Sequence, residues 1–466
     1  MRVKIDNFHG IQPRLHPSLL GQGMATRAHN CVLESGKLVP LRQPSKTPDS
    51  KVMKYGGLTR LRDATSLHAW KWTSSADGVA VNFLAFKGVT WMAEGNIADD
   101  EYDRVFITGE TGVAHGDAKD TPAVFFHSRS DGSVVPYTLV KDAPGKPTVS
   151  VSGTIDPSKT VFYVSFFVSW CDEFGYESGL SEPSEETLEI NDGTLVAFAV
   201  SDVPAEAKII RVYMTRAGTD EAKDGIQFLI DHPVSGGLSF SVDVHPADTA
   251  EQEPGIEPIP ADLRCMQFVA GGYYTGFSKS NPKTVMFSDV GLVTSWPLAF
   301  RYDVKDNIVA LATTSNSVFA LTDGWPWVLT GTAPETMSVS KLAGPAACVS
   351  PLGVCVYRNA VYYASNEGLM SIQNSADAGT VCVNVTQKVF TKDQWQAMNP
   401  SSCRLLQHGG RLFLFFKRQD GSAGDNLVIN LSESADAVTT HDEPARCACV
   451  DNVTGDMYFV RYGEEA

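Results

Sequence analysis

The stretch "LHAWKWTSSADGVAVNFLAFKGVTWMAEG", Leu67–Gly95, decides the fold class. It holds three apolar runs separated by Asp77-Gly78 and Lys87-Gly88. Gly-containing turns between runs rich in aromatic and β-branched residues are a hairpin signal, because glycine supplies the backbone freedom a tight turn needs. The same plan recurs further along the chain. "NAVYYASNEGLMSIQN" (Asn359–Asn374) is strand, turn and strand, and "GGRLFLFFKRQDGSAGDNLVINLS" (Gly409–Ser432) repeats it with Asp420-Gly421 near the turn. "DNVTGDMYFVRYG" (Asp451–Gly463) closes in the same style. Many hairpins with little helix predict a sandwich, barrel or propeller. The recurrence is irregular and fits no fixed period.

One block differs. "APGKPTVSVSG", from Ala143, has a linker's composition, and it is followed by "KTVFYVSFFVSWCDEFGYESGLSEPS", "ETLEI", "LVAFAV", "KIIRVYMTRAG", "IQFLIDHP" and "LSFSVDV". Six or seven strands in about 100 residues predict an immunoglobulin or fibronectin-type sandwich. The paired cysteines of a true immunoglobulin domain are missing, since Cys171 stands alone in the block. "HPADTAEQEPGIEPIPADL" reads as the exit linker. The expected fold is therefore all-β: a β-propeller-like body made of residues 1–142 and 261–466, with a β-sandwich inserted over 143–260. The body, at ~40–50 residues per blade, has room for about six to eight blades.

Among 466 residues, 38 Lys/Arg stand against 54 Asp/Glu, a net charge of −16, which argues against a protein that coats nucleic acid. The charge is uneven. Residues 1–62 hold 11 basic and 3 acidic side chains, whereas residues 143–262 hold 6 and 21. Nine cysteines without a C-x-x-C pair fit a thiol-keeping compartment. Cys447 and Cys449 alternate on a strand and are expected to be small buried residues sharing one side. The opening "MRVKIDNFHG" lacks a signal-peptide core, and no run approaches the ~18–20 apolar residues of a membrane span.

Chemistry-bearing motifs are scarce. The chain has no G-x-S-x-G, P-loop, G-x-G-x-x-G, H-E-x-x-H or EF-hand pattern, and its ten histidines are scattered. No catalytic, cofactor-binding or metal-ligating residue is singled out, and the plentiful carboxylates leave a glycosidase pair ~5–10 Å apart open without selecting one. "FSDVGLVTSW" (Phe287–Trp296) is similar to the Asp-box turn of sialidase-type propellers, with altered spacing, and reads as a blade turn. "LTDGWPWVLTG" sets Trp325 and Trp327 around Pro326, either as a flat binding platform or, the favoured reading, as a packed corner. The basic arm, with Arg2, Arg14, Arg27 and Arg42 among its cations, could meet phosphates, dock on an acidic face of a neighbouring subunit, or be solvated. "FTKDQWQAMNP" (Phe390–Pro400) predicts one short helix: Thr391 caps it, Gln394 completes a capping box, and Pro400 bars continuation. Trp395 and Met398 would pin it to the body, leaving Lys392, Asp393 and Gln396 outward. Lys392 and Trp395 are kept with the four arginines as candidate subunit or partner contacts.

Four stretches carry a resemblance. They are Ile5–Pro44, with its Asn-Cys, Ser-Gly turn and Pro-Leu-Arg strand; "VSWCDEFGYESGLSEPS" (Val168–Ser184); "FSKSNPKTVMFSDVGLVTSWP" (Phe277–Pro297); and "LTDGWPWVLTGTAPETMSVSKLAGPAACVS" with "YYASNEGLMSI" and "FTKDQWQAMNPSS". Together they resemble the tail nozzle, or distal tail-tube, proteins of tailed bacteriophages. The resemblance implies a non-enzymatic virion component, assembled in the host bacterial cytoplasm as a ring, commonly a homohexamer. Such a ring surrounds the DNA channel between a tail adaptor or tube above and needle, plug or fibre proteins below. Genomic DNA would pass without sequence-specific binding, no cofactor is implied, and the inserted sandwich departs from the simplest members. The competing readings are a carbohydrate-active or carbohydrate-binding propeller acting on host surface glycans, and an adhesin or scaffold whose sandwich binds a partner.

Overall fold

The computed structural model describes residues 7–47, 52–74, 78–95, 97, 100, 102–109, 122–127, 134–184, 187–217, 226–246, 257–344, 346–375, 379–431, 437–452 and 454–462. Arg2 and the Asp77 half of the first predicted turn lie outside them. Two compact units emerge: Met1–Thr138 with Ala261–Gly291 and Phe300–Ala466, and Leu139–Pro260 with Leu292–Ala299.

The first unit is a β-propeller body. Among the described residues, seven small sheets each contribute one innermost strand: β1 (Ser66–Ser74), β2 (Thr90–Glu94), β3 (Leu263–Val269), β4 (Ile308–Thr313), β5 (Val354–Tyr357), β6 (Arg404–His408) and β7 (Ala445–Val450). Each lies against the next in chain order, and β7 lies against β1, so the ring closes. The sheets begun by β2 to β6 are four-stranded and antiparallel throughout. Those at the closure are abbreviated. Among the described residues β7 pairs only with Met457–Arg461, and β1 belongs to a three-stranded sheet in which Val52–Tyr55 runs parallel to Gly78–Phe86.

The period of two residues explains why blades stack. In Ala360–Ala364 every residue is buried. Val361 and Tyr363 face a cluster containing Phe319 and Leu321 of the preceding blade. Ala360, Tyr362 and Ala364 face one containing Leu412 and Leu414 of the following blade. A strand buried on both faces reads as a continuous apolar run, as "AVYYA" does. The turn after it needs glycine: Gly368 has φ 152°, and a Cβ there would lie 2.4 Å from Asn384 Oδ1.

The second unit is a sandwich. One sheet has the order Thr148–Ser152, Thr194–Ala199, Ser239–Val244; the other runs Leu188–Ile190, Phe162–Cys171, Ile209–Ala217, Ile226–Pro233. Val164, Phe166, Val168 and Trp170 project from the long strand into a core shared with Val196, Phe198, Val242 and Val244. "ESGLSEPS" has a specific job on that strand. Ser178, Ser181 and Ser184 accept through Oγ from the N–H groups of Trp170, Val168 and Phe166 at 3.0, 3.0 and 3.2 Å. Their own N–H groups donate to the carbonyls of the same three residues. Serines three apart thus satisfy a strand edge that an irregular segment could not otherwise pair.

Two boundaries differ from the sequence reading. The second unit begins at Leu139, not Ala143, because Leu139 and Lys141 are buried in it. Residues Leu292–Ala299, which overlap the second half of the Phe287–Trp296 stretch read as a blade turn, also belong to it: Trp296 N–H donates to Glu257 O at 2.7 Å, and Ser295 bridges Pro258.

Candidate functional site

Two features of the body concentrate its polar chemistry: a cavity ringed by the innermost strands, and the arm. The cavity has a volume of about 710 Å³, and each of β1 to β7 lines it. Its charges are largely paired. Lys71 Nζ lies 3.2 Å from Asp451 Oδ2, and Arg104 Nε donates to Asp100 Oδ2 at 2.8 Å. Arg104 and the Tyr102 and Arg104 N–H groups hold the Asp100 carboxyl below its usual range despite its burial. His68 Nε2 meets Thr90 Oγ1 at 2.8 Å, and burial lowers its pKa to about 4, so the ring is neutral at pH 7. Arg404 is held below its ordinary pKa, first by burial, and donates to Thr65 O. Arg446 Nε donates to Ala64 O at 3.0 Å. Two arginines of the last blades therefore grip consecutive carbonyls before β1.

Among the described residues no three His, Cys, Asp or Glu side chains gather as a metal set. The described cysteines are free thiols. Burial pushes those of Cys265 and Cys348 up to about 12, which keeps them protonated and poorly nucleophilic. Cys447 and Cys449 share one cluster, as their alternation predicts. The Trp pair forms no flat platform: Trp327 joins a core cluster, while Lys341 Nζ stands 3.7 Å from the centre of the Trp325 ring.

The arm lies on its own body. Ala28 O and Thr440 O pair with the N–H groups of Thr440 and Asn30, running the arm parallel to Val438–His441. A hairpin, Cys31–Glu34 with Lys37–Pro40, follows. Thr439 Oγ1 donates to Cys31 O at 2.7 Å, Asn430 Nδ2 to Leu33 O at 2.5 Å, and Arg411 pairs with Glu34 at 2.6 Å. Upstream, Arg14 donates to Gln387 O.

The helix anchors this arm. α1 (Lys392–Ala397) has its capping box: Gln394 N–H donates to Thr391 Oγ1 at 3.2 Å, and Thr391 N–H to Gln394 Oε1 at 2.9 Å. The same Gln394 side chain donates to Pro13 O at 3.0 Å. Trp395 is fully enclosed, in one cluster with Ile11, and its Nε1–H donates to Ser365 O at 2.7 Å. This corrects Trp395 as a partner contact, because a side chain without exposed surface has nothing to present. Arg14 is likewise engaged within the chain. Lys392 is exposed beside Glu367 at 3.3 Å, a pairing worth little in water. Arg27 and Arg42 are exposed, the latter on a groove of about 1140 Å³ beside the short last blade. Sequence reasoning missed that the helix serves the arm; Gln12, Gln394 and the apolar Phe8 and Ile11 were the available signal.

No family model matches the chain, and neither does any curated protein sequence. Among solved structures, Hsv2 of Kluyveromyces lactis aligns at 11% identity and a TM-score of 0.24, covering 49% of this chain and 57% of that one. PorZ, a bacterial surface component of the type-IX secretion system of Porphyromonas gingivalis, aligns at 11% and 0.26, covering 80% and 63%. The chain thus spans less than two thirds of each. At these scores the propeller assignment rests on the sheets themselves. No helix among the described residues is long and apolar enough to cross a membrane.

Proposed function

We propose that this chain is a structural component of a bacteriophage tail, a nozzle-type protein whose copies form a ring around the DNA channel. The observation that supports it most is the arm. It is fastened to the body along one side, yet it carries Leu19 at 69% and Leu38 at 47% exposure together with exposed Arg27 and Arg42. Exposed apolar residues beside cations on an extended arm suit docking on an acidic neighbour. The neighbour in this reading is another copy, with the tail adaptor or tube and the needle, plug or fibre proteins at the two ends of the ring. A cavity of 710 Å³ has the size of a small-ligand pocket, so DNA would pass between copies and not through a propeller. Six copies at −16 each would give a wall that repels the duplex and lets it slide.

Light scattering and negative-stain microscopy of the purified chain, alone and with the tail adaptor, test this. Rings are the expected outcome, and Leu19→Asp should weaken them. A chain that stays monomeric in both conditions and depolymerises host polysaccharide overturns the reading in favour of a glycan-active propeller.

A further inference from the structure

Where the chain enters the sandwich, three charged side chains meet. Lys141 and Asp172 have side chains 2% and 3% exposed, with Lys141 Nζ 3.0 Å from Asp172 Oδ2. Glu206 Oε1 stands 3.6 Å from the same nitrogen, on a side chain 34% exposed. The Trp170 ring centre lies 4.9 Å from Nζ and walls the site. Despite their closeness, neither Lys141 Nζ nor Asp172 Oδ2 makes an aligned hydrogen bond among the described residues. The other carboxyl oxygen is held differently: Asp172 Oδ1 accepts from the N–H groups of Phe174 and Tyr176, both at 2.9 Å.

We infer that this is a modification site, at which Lys141 and Asp172 join in an intramolecular isopeptide bond with Glu206 as the proton carrier. The step begins with a proton passing from Nζ to Oδ2 across the 3.0 Å that separates them, which gives an amine facing a carboxylic acid. The neutral amine is the nucleophile. Nζ attacks Cγ, and negative charge develops on Oδ1, where two fixed N–H groups already point. Glu206 takes a proton from the attacking nitrogen and passes it to the Oδ2 hydroxyl. The Cγ–Oδ2 bond breaks, Oδ2 leaves as water, and Oδ1 becomes the amide carbonyl. One amine and one acid give one amide and one water, Glu206 is regenerated, and no oxidant or activating nucleotide is needed. Holding the reactants together at contact distance in place of free encounter supplies much of the barrier reduction.

The bond would weld the lead-in segment to the end of the central strand Phe162–Cys171. Trp170 Nε1–H already donates to Asp142 O there, at 2.9 Å. The test is the intact mass of the purified full-length chain. The expected mass is one water below that calculated from the sequence, and digestion should yield a branched peptide joining Lys141 to Asp172. Lys141→Ala and Asp172→Ala should each restore the full calculated mass. Glu206→Ala leaves both reactants in place and should abolish or greatly slow the loss of water, which separates a proton carrier from a structural neighbour. Wild-type chain at full mass without a branched peptide overturns the inference and leaves an ordinary buried ion pair. Because the decisive measurement is on the unaltered chain, misfolding of a variant cannot obscure it.

Discussion

Trp395 shows how much one residue can disclose. Its spacing to Met398 made packing legible from sequence, and the structure encloses it edge-on to Phe416 at 5.7 Å. Trp395→Ala should cost about 3–5 kcal/mol by loss of burial and the cavity left behind, read as a lower urea midpoint. His441 was not legible, because nothing around it in sequence foretells an aromatic box. Its ring lies edge-on to Phe413 and Phe415 at 6.0 and 5.4 Å, and among the described residues neither ring nitrogen has a partner. Burial lowers its pKa to about 4. The unfolded chain binds a proton as pH falls below about 6.5, while the folded chain refuses it until about 4. Stability is therefore complete above that window and falls through it, by on the order of 3 kcal/mol for this residue. His68 adds a second loss of the same sign. His441→Phe should remove roughly half of the decline, measured as thermal midpoints between pH 7 and 4.

At the scale of elements, hairpins were legible because their turns and alternation are local. So was α1, whose cap, box and stop all sit within eleven residues. Thr391→Ala should cost about 1 kcal/mol. Because the capping Gln394 also holds Pro13, the variant should also speed proteolysis within residues 7–20, followed by mass spectrometry of early fragments. The partner of the arm was hidden for a physical reason. Backbone-to-backbone pairing, such as Asn30 with Thr440, carries no side-chain signature across 410 residues. The Lys141 site was hidden likewise: three common charged residues from three separate segments acquire meaning only when enclosed together.

At the scale of the molecule, the sequence indicated two architectures but not the number of blades. Among the described residues the sheets of β1 and β7 have three and two strands, and Val52–Tyr55 joins the first of them in parallel, so the described blades offer no uniform repeat to count. Each unit has its own core. Differential scanning calorimetry of the intact chain should accordingly show two transitions. Excising residues 139–260 in favour of a short linker should abolish one while preserving most of the other.

The ring is sealed by residues far apart in the chain. Arg404 reaches Thr65 across 339 positions, and Arg446 reaches Ala64 across 382. On a ribosome these partners are born at different times. At about 5–20 residues per second, roughly 20 to 80 seconds separate the synthesis of Ala64 from that of Arg446. Throughout that interval the body is an open fan with two raw flanks, vulnerable to neighbours emerging from the same message. Arg446 thus acts as a clasp fastened last, and crowding during translation becomes a hazard that the finished ring no longer faces.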